Sequence, residues 1–189
     1  MISKLYSIST SYIGEWKLPV AILLASAGIE LAPNLAAATE HEVEEFGGFL
    51  EQCLDEADGA EAKAQCIGAM SQVCMDEQDG GHTTLGMSSC LAAEGLVWDQ
   101  FLNAEYKVTM DWSKAADEDE AESFPDYANR AKNLRAAQRA WIAFRDAECA
   151  LEYAQWGSGS MRTIAAADCL MQMTAERSIE LLQMREMFE

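Results

Sequence analysis

The chain has 189 residues, with 13 Lys and Arg against 32 Asp and Glu, a formal charge of −19. Half the residues are hydrophobic and only three are proline, which excludes a disordered chain, and the length fits one ordinary domain. The acidity excludes nucleic acid as a partner and disfavours anionic lipid, because both require a basic surface.

Residues 1–38 read as an export signal. Lys4 and Lys17 are the basic residues ahead of an apolar run from Leu18 to Ile29. A dozen apolar residues suit a signal-peptide core, whereas a membrane span needs roughly 20. Pro33 and Asn34 are expected to break the helix, and Ala36-Ala37-Ala38 offers small residues for a signal peptidase cutting after Ala38. With no cysteine near the cut, a lipid anchor is not expected. The exported chain is then periplasmic or secreted, with no membrane association after cleavage. Its charge is uneven: 22 acidic and three basic side chains lie in 39–129, against eight of each in 130–189.

The rest reads as helix. Thr39 and Glu42 have capping-box spacing. A first helix is expected over about 42–57 and a second over about 60–77, ended by Gly80-Gly81. Thr83 or Thr84 can cap a long third helix reaching about residue 114, with Leu91, Trp98, Leu102, Tyr106 and Met110 on its apolar face. The acidic run from Asp117 to Glu122, closed by Ser123-Phe124-Pro125, reads as a solvated linker rather than a calcium loop. A fourth helix follows over about 126–156, its buried face marked by Leu134, Trp141, Phe144 and Leu151. Ser160 is expected to cap a fifth, about 161–188, with Leu170, Met173, Arg177, Leu181, Met184 and Phe188 as its stripe. A buried Arg177 must find a carboxylate or carbonyl.

Six cysteines follow the signal: Cys53, Cys66, Cys74, Cys90, Cys149 and Cys169. An even count in a small exported protein implies disulfides. Asp58-Gly59, Gly80-Gly81-His82 and Gly157-Ser158-Gly159-Ser160 each lie midway between two consecutive cysteines. Residues equidistant from the turn of a helical hairpin face each other, so the pairing is sequential: 53 with 66, 74 with 90, 149 with 169. Cys-x-x-Cys is absent and His41 and His82 are the only histidines, so zinc and covalent haem are unsupported and no metal or cofactor is expected. The fold class is all-α, a small bundle of disulfide-stapled helical hairpins.

Two blocks resemble a known family. Cys90-Leu-Ala-Ala-Glu94, then Trp98-Asp99 and Leu102-Asn103-Ala-Glu-Tyr106, form the first. Gln138-Arg139-Ala-Trp141, then Phe144-Arg145-Asp146-Ala-Glu148-Cys149, continue after the glycine turn into Cys169-Leu170 and Thr174-Ala-Glu176-Arg177. Together they resemble the N-terminal domain of the family named after the lysozyme inhibitor LprI, over roughly 85–185. The organisation is then a signal over 1–38, a helical extension over 39–84 and the LprI-like domain over 85–189. The resemblance implies a non-enzymatic exported domain and the inhibition of lysozyme.

The motif side chains have a structural reading. Arg145 and Asp146 tie two helices together, Trp141 and Phe144 fill the core, and Gln138 and Arg139 serve backbone carbonyls. Asp99, Leu102, Asn103, Tyr106, Thr174 and Arg177 complete the set.

Three functions compete. The first is a binder of a basic lysozyme-type hydrolase, steered to the acidic surface. The second is an interaction module for an envelope protein. The third, a hydrolase using paired carboxylates, ranks last, because so many acidic residues satisfy any distance test by chance.

Overall fold

The computed structural model describes residues 32–188, with side chains from Thr39 onward. The proposed signal core therefore lies outside the described residues. Six α-helices follow one another: α1 (Ala32–Glu56), α2 (Gly59–Ala64), α3 (Ala69–Glu77), α4 (Thr84–Ala121), α5 (Arg130–Gln155) and α6 (Met161–Glu186). A 3-10 turn at Pro125–Tyr127 joins α4 to α5. No strand occurs among the described residues, and no described helix is long and apolar enough to cross a membrane.

Several boundaries differ from the sequence expectation. The first helix already includes Ala32 at the edge of the described residues, upstream of the expected start near 42, so Pro33 and Asn34 lie within helix rather than ending it. Thr39 and Glu42 lie inside this helix and form no capping box at its start. The expected second helix is two, because Gly68 adopts a left-handed φ of +89° between α2 and α3. Thr83 does cap α4, its hydroxyl accepting from the Gly86 N–H at 3.1 Å. Ser160 does not cap α6: its backbone is already helical and its side chain makes no capping bond.

The acidic run is helix rather than linker as far as Ala121, which makes α4 38 residues long, about 57 Å. Asp117 turns inward to serve the next helix. Its two oxygens accept from the N–H groups of Arg130 and Ala131, at 2.8 and 2.9 Å, at the start of α5. The Arg130 guanidinium returns to Asp117 and to Glu120, the latter at 2.8 Å. Two carboxylates of the run thus lock the α4–α5 corner, and solvation does not melt it.

Three disulfides staple the chain: Cys53–Cys66, Cys74–Cys90 and Cys149–Cys169, with Cα separations of 5.8, 5.7 and 5.5 Å. These are the pairs picked out by the turn positions. Between Cys74 and Cys90 the turn is very tight. Gly80 has φ +79°, and a Cβ on Gly81 would stand 2.2 Å from the Met75 carbonyl oxygen.

α4 is the spine and packs most extensively on α6. One core cluster joins α1, α3, α4 and α6 through Leu50, Met70, Trp98, Met171 and Ala175, all essentially inaccessible to solvent. Residues before 85 therefore share a core with those after it. A second, smaller cluster joins α4, α5 and α6 through Leu102, Met110, Leu134 and Leu181, with Tyr106 and Trp141 against it.

The outer half of α5 is a correction. Phe144 is 57% exposed and Leu151 53%, so neither fills the core. Of the expected face only Leu134 is buried, with Trp141 half-buried. Among the described residues α5 packs chiefly on α6 and part of α4, which leaves its far side open. Leu170, expected in the α6 stripe, is likewise 40% exposed.

Candidate functional site

The second motif block assembles a polar stack on the facing sides of α5 and α6. Arg177, 8% exposed, donates from Nε to Gln138 Oε1 at 3.0 Å and from Nη1 to Glu180 Oε2 at 2.6 Å. Its guanidinium lies 5.9 Å from the Trp141 ring centroid, and that of Arg145 lies 5.1 Å from the same ring. An indole flanked by two cations gains from its quadrupole, most where water is excluded. Arg145 donates from Nε and Nη2 to Asp146 Oδ1, and from Nη1 to Thr174 Oγ1 at 3.3 Å. The Thr174 hydroxyl in turn donates to the Leu170 carbonyl at 2.6 Å.

The helix tie therefore runs from Arg145 to Thr174, while Asp146 stays on its own helix and orients Arg145. Gln138 serves a guanidinium rather than a carbonyl. Arg139 is exposed. In the first block, Leu102 is buried, Tyr106 packs on the second cluster, and Asn103 Nδ2 donates to the exposed Asp99 at 2.9 Å.

One important residue carried no sequence signal of its role. Glu94 is fully buried on α4, and its carboxylate accepts from the N–H groups of Gly68 and Ser71, at 2.6 and 2.7 Å, at the start of α3. The Trp98 indole N–H supplies a third bond at 2.9 Å. A helix N-terminus carries unpaired donors and partial positive charge, so this carboxylate is well satisfied there. Glu186 holds the Ala60 N–H of α2 in the same way, at 3.1 Å. The i to i+4 spacing of Glu94 and Trp98 is the one local cue, and it does not reveal α3.

No cysteine is free among the described residues, since all six are bridged. His41 pairs with Glu45 and His82 with Asp76, both at the surface. Glu42 lies against Cys74 and Cys90, but those sulfurs are bonded to each other, so the trio offers no thiolate to a cation. Glu42 instead accepts a hydrogen bond from the Ser89 hydroxyl.

The concave feature beside the stack is an open groove of about 1040 Å³. One wall is an α4 stripe that includes Ser88, Ala92, Gly95 and Leu96. The other is the α5–α6 hairpin, with Arg145, Tyr153, Ala166 and Leu170. Small residues such as Ser88, Ala92 and Gly95 leave space along the groove, and Gly95 lets α4 approach α6, with the position of a Cβ there 3.5 Å from Met171 Cα. At the α1 end, Glu40, Leu96 and Asp99 are shared with a second hollow of about 610 Å³ that adds His41 and Glu44.

Comparison with known proteins gives a relative and a family. The uncharacterized protein R02472 of Rhizobium meliloti (strain 1021) is 30% identical over 105 residues, 56% of this chain and 76% of that protein. No solved structure matches. The family model described as lysozyme inhibitor LprI matches residues 74–181, which takes in the Cys74–Cys90 and Cys149–Cys169 bridges, the Arg–Trp–Arg stack and most of the groove. That match spans more than half of the sequence, and the chain belongs to the LprI lysozyme-inhibitor family.

Proposed function

We propose that the protein is exported and inhibits a basic lysozyme-type cell-wall hydrolase by binding it. The observation that carries this reading is the family match across 74–181. Two properties support it. Three disulfides fit an oxidising compartment outside the cytosol. A charge of −19 steers a cationic enzyme toward the surface and speeds encounter at low salt.

On this reading the chain is cut after Ala38, and residues 39–84 are an extension braced against the LprI-like domain over 85–189. The motif residues hold the scaffold, and inhibition is by occlusion rather than chemistry. The experiment is lysis of a cell-wall suspension by c-type, g-type and i-type lysozymes, with and without the exported chain. Slower lysis by at least one of them, relieved by added salt, is expected. Unchanged lysis by all three at low salt and micromolar protein removes the proposal.

A further inference from the structure

Large exposed apolar side chains are common on any protein surface, but here four gather around one hollow. Leu85 is 68% exposed, Leu96 47%, Tyr153 40% and Leu170 40%, and all four line the groove between α4 and the α5–α6 hairpin. Apolar surface concentrated in this way, with a polar rim, marks an interaction site. At the α1 end the rim is acidic. Glu40 and Asp99 of the groove and Glu44 of the adjoining hollow are exposed, and none has a cationic partner among the described residues. The basic side chains nearby are already engaged, Arg145 with Asp146 and His41 with Glu45.

Resting on the function proposed above, we infer that this groove is the seat for the hydrolase, taking a surface segment in which apolar side chains sit beside Lys or Arg. The apolar part covers Ala92, Gly95 and Leu170, and the cation meets Glu40, Glu44 and Asp99. Charge complementarity favours this occupant over a second copy of the chain. A second copy would bring another acidic rim to the same place, and like charges in contact oppose docking. The Arg145–Thr174 bond fixes one wall, so the groove is formed before the partner arrives, which lowers the ordering cost of binding.

The test measures affinity of the exported chain for whichever lysozyme it inhibits. One variant fills the groove from its α4 wall, Ala92→Trp. Another reverses the rim, Glu40→Lys with Asp99→Lys. The control, Glu118→Lys with Asp119→Lys, makes the same charge change at exposed positions on α4 about 30 Å from Asp99. Circular dichroism and disulfide mass mapping establish that each variant is folded.

Both groove variants are expected to weaken binding by about tenfold or more, and the control by less than about threefold. Equal losses in rim variant and control would overturn the inference, since bulk charge alone would then act. Undiminished affinity in Ala92→Trp would also overturn it, as would self-association through the groove abolished by that substitution. In these outcomes the wild-type chain still inhibits, so the docking assignment falls alone. A wild-type chain that binds none of the three lysozymes brings down the proposed function and this seat together.

Discussion

The carboxylate of Glu94 reaches across from α4 to the backbone N–H of Ser71, at 2.7 Å, and closes the N-terminal end of a helix 23 residues earlier in the chain. The same side chain binds the Gly68 N–H and the Trp98 indole, with no solvent contact. Glu94→Ala leaves three donors, two of them buried, without an acceptor. Each such donor costs about 1–3 kcal/mol, so the substitution is expected to lower stability by about 3–5 kcal/mol, read from urea unfolding midpoints. Glu94→Gln keeps one acceptor oxygen and should fall between the two. A loss below about 1 kcal/mol in Glu94→Ala would contradict the capping role.

Asp117 supplies a pH dependence of definite sign. Partial burial is the largest single influence on it and acts upward. The Ala131 and Arg130 N–H groups, with the Arg130 guanidinium, outweigh that and hold its carboxyl below the ordinary 3.8. A carboxyl lowered in the folded state stabilises the fold above its unfolded value and loses that contribution as pH falls through the folded one. Asp117→Asn should therefore be less stable than wild type at pH 7, and the gap should close as pH falls below the ordinary carboxyl range. Asp168 carries the opposite sign. Burial pushes it up, the Gln172 side chain opposes this, and the charge of Glu94 adds to the rise. Asp168→Asn should raise the neutral-pH midpoint, with the difference vanishing as pH falls to the unfolded carboxyl range. Thermal melts from pH 2.5 to 7 check both.

Two glycines separate conformational entropy from crowding. Gly48 lies exposed inside α1 with nothing within 4 Å of an added Cβ. Gly48→Ala should stabilise by about 0.5–1 kcal/mol, since glycine is a poor helix former. Gly81→Ala places its Cβ 2.2 Å from a backbone oxygen that cannot swing away. It should destabilise by several kcal/mol or prevent formation of the neighbouring Cys74–Cys90 bridge, visible as two free thiols by mass.

The Cys149–Cys169 bridge spans 20 residues and is the disulfide that joins α5 to α6. Replacing both cysteines by alanine should cost about 3 kcal/mol, mostly through the unfolded chain. Because α5 has few buried residues, the loss should appear locally first. Amide exchange is expected to quicken in the outer half of α5 while the α1–α4 core stays protected. Uniform quickening would show that the hairpin is held by its packing instead.

The sequence by itself determined the helical class, the family and the cysteine pairing. Each of these is local: apolar spacing at helical period, motif blocks in order, and turns centred between paired cysteines. It could not determine where Phe144 and Leu151 point, because their spacing predicts a buried face, whereas among the described residues α5 packs chiefly on α6 and part of α4 and leaves them exposed. Nor could it show that Asp117 and Glu120 lock a corner, since an acidic run looks solvated until Arg130 folds back onto it. The burial of Glu94, the Arg145–Thr174 tie and the acidic-rimmed groove were decided by tertiary structure alone. Each depends on donors or walls supplied by helices distant in the chain, and a carboxylate's role follows from which helix end packing brings to it.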